Sequence, residues 1–327
     1  MLAALLTPGS SVPPPFVHRI TKYDPADRNE HGHYTGSEDT LSDHGPVEAA
    51  YLAAIAAFAE DSGIDRLEIR EPAVTGFVHF GLEPPAEGHG LAGLFPPDLT
   101  GYHDGAEVPL EVALELVRAM LRDQGAWCRL EAGDAFSVHV GWDQYVFVGS
   151  DRYCAEAVAR TRELGLFPEP MTASPYAFDP DEREVTEAAD EDFWTRVRTE
   201  LASRQSLLLE ETHVGNGARW HRLTPRNLDA VRAGLGPRAL LTIWPDLNPD
   251  VGAVLAALPE EYSVEFVWEA QDGTIGHVLV DETEYQELTA LVAGARAACA
   301  LPLYADERHP LLCAALPDSD GVLRARW

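Results

Sequence analysis

From Asp179 to Asp192 the chain reads DPDEREVTEAADED, eight acidic residues in fourteen with no large aromatic among them. Such a segment has too little apolar surface to offset the entropy lost on ordering. It reads as a linker, 179–192, that separates a first domain at 1–178 from a second at 193–327. The total of 327 residues agrees with two domains of roughly 150 residues each.

Within the first domain, Gly45-Pro46 opens a helix over 46–61 that Gly63 terminates, with Asp43 placed to cap its start. Val47, Tyr51, Ala54, Ile55 and Phe58 fall on one helical face, which marks that face as core. Short strands are expected at 66–69 (RLEI) and 77–80 (FVHF), followed by a Gly/Pro-rich loop over 81–108, long enough to suggest a functional role. A helix at 109–123 precedes strands at 127–131, 136–140 and 144–148, the first two joined at Gly133-Asp134, and a helix at 152–164 ends at Gly165.

The second domain opens with a helix at 191–203 whose stripe is Phe193, Trp194, Val197 and Leu201. Strands are expected at 207–211, 219–223, 239–244 and 264–270, the last turning at Asp272-Gly273 into TIGHVLV. Gly215-Asn216-Gly217 fits a hairpin connection, a helix spans 282–298, and a hairpin at 318–321 leads into a strand, VLRARW, that runs to the last residue and suggests a cut from something longer. Both halves are therefore α+β, each a mainly antiparallel sheet with helices packed on it.

The chain carries 54 acidic against 24 basic residues, a formal charge of −30. The imbalance is shared, 28 acidic to 11 basic through residue 180 and 26 to 13 after it, so neither half is a basic nucleic-acid-binding domain. Phosphate backbones would be repelled, and a basic protein is the partner this field favours; direct nucleic-acid contact through the chain is not expected. Cys128, Cys154, Cys299 and Cys313 form no CxxC pair, which signals neither zinc nor a disulfide framework and fits reduced thiols in the cytoplasm. The start has six apolar residues, no basic region and Pro13 to Pro15 soon after, a poor signal peptide, and no run approaches the ~20 apolar residues of a membrane span.

The densest polar constellation runs from Tyr23 to His44. Tyr23, Asp24, Asp27, His31, His33, Tyr34, Asp39 and Asp43 offer aromatic, imidazole and carboxylate groups on one loop, readable as a partner-binding surface or as a self-hydrogen-bonded turn region. His31 and His33 with the adjacent aspartates also contain metal-ligand types, which keeps a metal-dependent enzyme as an alternative. Trp142, Asp143 and Tyr145 add a second aromatic candidate for partner contact. Val78-His79-Phe80-Gly81 and Val138-His139-Val140-Gly141 repeat one pattern, and His139 lies on the strand face opposite Phe136, Val138 and Val140. Asp306 to His309 reads as a surface turn. No G-x-S-x-G, Walker A, H-E-x-x-H or G-x-G-x-x-G motif occurs, so no cofactor and no catalytic residue is expected.

The segments FVHRITKYDPADRNEHGHYTGSEDTLSDHGPVEAAY (16–51), HVGWDQYVFVGS (139–150) and ELGLFPEPMTASPY (163–176) resemble bacterial proteins that share KY-x-P, R-x-E-x-G-x-Y and SD-x-G elements with a later G-[YW]-D-x-Y. Over nearly its whole length the chain resembles the N-terminal region of actinobacterial S1-type RNA-binding proteins, whose S1 repeats are absent here. The resemblance implies a non-catalytic interaction or regulatory module that binds protein. A likeness of the first domain to toxin-immunity proteins implies the alternative of an inhibitor for a basic toxin.

Overall fold

In a computed structural model of the protein, the described residues are 13–31, 33–36, 44–77, 88–141, 145–177 and 187–327. The chain divides into two compact units, one comprising 1–184, 214–217 and 324–327, the other 185–213 and 218–323. The division is not collinear: a hairpin tip, Val214–Gly217, and the last four residues belong to the first unit. Residues 178–186 lie outside the description, and the expected linker has already become structure by Ala189, whose N–H donates to Ala315 at 2.8 Å.

The first unit is a seven-stranded antiparallel sheet ordered β3-β2-β4-β5-β6-β1-β7. Its strands are β1 (Phe16–Thr21), β2 (Arg66–Phe77), β3 (Glu107–Pro109), β4 (Gln124–Ala132), β5 (Phe136–Val140), β6 (Val146–Ser150) and β7 (Phe167–Met171). Helices α1 (Pro46–Ser62), α2 (Leu110–Leu121) and α3 (Ala155–Glu163) supply the other half of its core. Tyr51, Ile55 and Phe58 of α1 meet Leu130, Phe136, Val138 and Val148 of the sheet, the alternation of the strands turning these residues to one face.

The strand expected at 66–69 extends to Phe77 as β2, bent by register shifts between Arg70/Ala73 and Val74/Phe77, while 78–80 of the second expected strand, His79 among them, lie outside the described residues. The N-cap of α1 is Gly45, which has no side chain to accept a bond, and Asp43, expected to cap this start, lies outside the described residues. The described part of the 81–108 loop is packed, with Leu91 and Tyr102 buried and the Tyr102 hydroxyl donating to the Trp127 carbonyl at 2.8 Å.

Gly63 ends α1 with φ +69°, and a Cβ there would meet no atom within 4 Å. Gly63→Ala is expected to cost about 1 kcal/mol from backbone strain alone, read as a lowered urea midpoint with an unchanged m-value.

The second unit contains α4 (Glu191–Arg204), β8 (Leu207–Val214), β9 (Gly217–Leu223), α5 (Leu228–Gly234), β10 (Leu240–Pro245), α6 (Val251–Ala256), β11 (Val264–Glu269), β12 (Ile275–Val280), α7 (Tyr285–Leu291), β13 (Ala297–Pro302) and β14 (Leu312–Ala315). They build two antiparallel sheets, β14-β10-β8-β9 and β12-β11-β13. The expected stripe of α4, Phe193, Trp194, Val197 and Leu201, is buried against Leu207, Leu209, Leu241 and Ile243. Leu208, Trp244, Val267 and Leu301 join the two sheets in a further core.

The helix expected at 282–298 stops at Leu291, and the Ala-rich segment after Gly294 instead pairs with β11. Small side chains at Ala297 and Ala298 let that strand sit closely against its neighbours, a tertiary gain that outweighs alanine's helical preference. Residues 322–327 form no strand: the turn at 318–321 exists, but Ala325 is enclosed and Arg326 is held by carboxylates. Among the described residues no helix is long and apolar enough to cross a membrane.

Candidate functional site

The face of the first sheet turned away from α1 to α3 carries polar groups. Register places Arg19 of β1 opposite Phe147 of β6 and Glu169 of β7, and His139 of β5 opposite Phe147. At one end of this row the chain leaves β1 and wraps the predicted loop across it. Asp24 accepts from the Ala26 N–H at 2.9 Å and starts a short 3-10 turn, Pro25–Asp27. The Asn29 side-chain oxygen accepts from the N–H groups of His31 and His33, both at 3.0 Å, and an antiparallel bridge joins Arg28 to Tyr34. The loop thus satisfies its own backbone, as Asp and Asn favour.

This wrapping brings together three of the predicted residues. The rings of Tyr23 and Tyr34 lie 4.7 Å apart between centroids, and those of Tyr23 and Tyr145 lie 6.2 Å apart edge to face. Beneath them, the guanidinium groups of Arg19 and Arg28 lie 5.4 Å and 5.5 Å from the Tyr145 centroid, and both reach Glu169, at 2.9 Å and 3.2 Å. Burial pushes the Glu169 carboxyl up from its ordinary value, and the charge of Arg28 opposes that. The Lys22 N–H donates to the Tyr51 hydroxyl at 3.0 Å, which ties the loop to α1. Tyr34 is 36% exposed, and Asp27, Glu30, His31 and His33 are exposed beside it.

His31 and His33 do not converge on a common point: their rings are 6.3 Å apart, and among the described residues no group of three or more His, Cys, Asp or Glu is placed to hold a metal ion. Asp39, Asp43, Trp142 and Asp143 lie outside the described residues. Sequence reasoning missed Arg19, Arg28 and Glu169 as supports. Arg19 follows the alternation of FVHRIT, which reads as a strand, but the partnership with Glu169 depends on pairing across 150 residues.

Further along the same face lies a buried ionic cluster. The guanidinium of Arg326 takes Glu131 as a fork, at 2.8 Å and 2.7 Å. Arg129 pairs with Glu71 at 3.2 Å, and Arg70 with Asp104 at 3.0 Å. Burial opposes ionisation of Glu131, yet contact with His139 and the fork from Arg326 overcome it and hold the carboxyl at about 2. His139 Nε2 stands 3.8 Å from Glu131, an ion-pair distance too long for a hydrogen bond, so Arg326 does most of the lowering. Burial lowers the His139 imidazole from its ordinary value, with the neighbouring Glu131 opposing, and its Nδ1 meets the Ser174 hydroxyl at 2.9 Å. Ser174 also accepts from the Tyr176 N–H at 3.1 Å, so this hydroxyl is part of a turn closed over the sheet.

A second ionic cluster sits between the two sheets of the second unit. Arg308 leaves the supposed surface turn and points inward, 3.2 Å from both Glu210 and Glu265 and over the Trp244 ring at 4.9 Å. Trp244 Nε1 donates to Glu210 at 2.9 Å. Arg222 likewise joins Asp246 and Glu269, each at 2.6 Å. The surface reading of 306–309 therefore fails at Arg308, because two buried carboxylates on separate strands require a cation. The charges of both clusters are met by ion pairs within them, which leaves the tyrosine surface as the candidate site for a partner.

No known protein family, curated protein or solved structure matches the chain.

Proposed function

We propose that the chain is a non-catalytic protein-interaction module, and that the Tyr23, Tyr34 and Tyr145 surface of its first unit binds a basic partner protein. The observation that carries this reading is the convergence of three tyrosines, two from the loop after β1 and one just before β6, on a base made rigid by Arg19, Arg28 and Glu169. Tyrosine supplies a large share of binding energy at protein interfaces, since its wide face is buried at little rotamer cost. The arginines here are spent on Glu169 and Tyr145, so the exposed rim of the loop is acidic, with Asp27 and Glu30. A chain of formal charge −30 would draw a cationic partner quickly and leave RNA alone. The resemblance to S1-type N-terminal regions supports a regulatory context in which RNA contact belongs to other parts of the assembly.

The test is recovery of partner by the full chain and by variants. Tyr23→Ala combined with Tyr34→Ala is expected to weaken binding tenfold or more, while Tyr262→Ala, an exposed tyrosine of the second unit, leaves it unchanged. Gly36→Ala should reproduce part of the loss without removing an aromatic, because a Cβ at Gly36 would run into the Tyr34 ring and displace it. Salt-sensitive RNA binding by the chain alone in a filter assay would overturn the protein-only reading.

A further inference from the structure

The edges of the sheets are treated unequally. β3 has only three residues and ends in Pro109, while β7 carries Pro168 and Pro170. The outer side of β14 is bonded to Glu187 and Ala189, that of β13 exchanges two bonds with Asn248, and β9 carries Arg219 and Arg222. Short length, proline, charge and covering are the means by which natural edges avoid pairing with other chains. β12, with the sequence IGHVLV, has none of them: six residues in regular register with β11, without proline, charge or bulge.

The orientation of its peptide groups follows from the turn. The Ala270 N–H donates to the Thr274 carbonyl at 2.8 Å, so the bonded pairs recur at Trp268/Gly276, Phe266/Val278 and Val264/Val280. Ile275, His277 and Leu279 therefore direct their N–H and C=O groups outward, and no described residue hydrogen-bonds to them. Leu279 is 59% exposed on the same strand.

Charge says what fits there. Between Arg238 and Arg296 the chain runs for 57 residues without a lysine or arginine and with eleven aspartates and glutamates. Asp272 precedes the strand, and Asp281, Glu282 and Glu284 follow it. A second copy of β12 would bring the same charges and be repelled, whereas a cationic strand would be attracted at both ends.

We infer that β12 accepts an extended, cationic segment of a partner protein as an additional antiparallel or parallel strand, main-chain hydrogen bonds giving affinity and the acidic ends selecting charge. This rests on the reading of a basic partner but uses a surface of the second unit, apart from the tyrosine cluster.

The experiment measures anisotropy of a labelled, capped peptide of alternating arginine and valine against the full chain. Its companion carries N-methyl groups on alternate residues, which keep the charge and remove the edge hydrogen bonds. The expected result is at least a tenfold weaker affinity for the N-methylated peptide, and a similar loss for Leu279→Lys, at an exposed edge position that tolerates the charge. The Tyr23→Ala/Tyr34→Ala chain should bind the peptide normally. Equal binding of the two peptides, or unchanged binding by Leu279→Lys, would overturn the inference. So would equal binding of a glutamate–valine peptide, or a dimer in sedimentation that Leu279→Lys abolishes, since the occupant would then be uncharged-selective or a second copy. Loss of the peptide in the tyrosine variant alone would move it to the first unit, overturning this inference while leaving the proposed function intact.

Discussion

Arg326→Met is expected to destabilise the first unit by about 3–5 kcal/mol at neutral pH, the loss typical when one member of a buried ion pair is removed and the other stays behind. Glu131 would be the group left behind: it is 7% exposed and takes both guanidinium bonds from Arg326. The effect should depend on pH in a definite direction. In the intact protein Glu131 is held at about 2, below its ordinary value of 4.5, so its contribution is fully present above about pH 4.5 and is lost as pH falls toward 2. Without Arg326 much of that lowering is lost, and the gap between variant and parent should be widest near pH 7 and narrow at pH 3. Urea unfolding at the two pH values measures it. Arg326→Lys keeps the charge without the fork and should fall between them. An Arg326→Met chain as stable as its parent at pH 7 would show that the cluster is not a structural tie.

In the second unit, Arg308→Met should cost a similar 3–5 kcal/mol at neutral pH by leaving Glu210 and Glu265 without the cation they share. The cost again shrinks as pH falls, although Glu210 starts from a shift opposite to that of Glu131. Burial already raises the Glu210 carboxyl above its ordinary value, with Arg308 and the Trp244 hydrogen bond opposing the rise. A raised carboxylate takes up a proton on folding, so its penalty is absent below the ordinary value and grows as pH rises through the folded one. Removing Arg308 raises it further. The variant should accordingly be more stable at pH 5 than at pH 8. Adding Glu210→Gln should restore much of the loss, since the neutral amide needs no counter-ion, and a thermodynamic cycle over the two changes would measure the coupling directly.

These two arginines also show where local reading stops. Arg308 sits in an acidic turn, Asp306-Glu307-Arg308-His309, that looks solvated, and Arg326 sits in a six-residue tail, VLRARW, whose alternation looks like a strand. Neither neighbourhood contains the partner: Glu210 is 98 residues from Arg308, and Glu131 is 195 from Arg326. The tyrosine surface was half legible. Tyr23, Tyr34 and Tyr145 stand out as aromatics in polar loops, but Glu169, flanked by two prolines, gives no sign that it will anchor Arg19 and Arg28 beneath them.

What the sequence by itself determined is the α+β class, the acidic charge, and the buried faces of α1 and α4. Each of these is written in residues near one another, where a period of two or 3.6, a glycine stop or a run of like charge acts locally. Only the tertiary structure decided that Ala297–Pro302 is a strand, that His139 and Arg326 are interior, and that the last four residues belong with the first unit. Those outcomes depend on strand register and on the cost of an unpaired charge away from water, and both are settled by groups that meet only when the chain has folded.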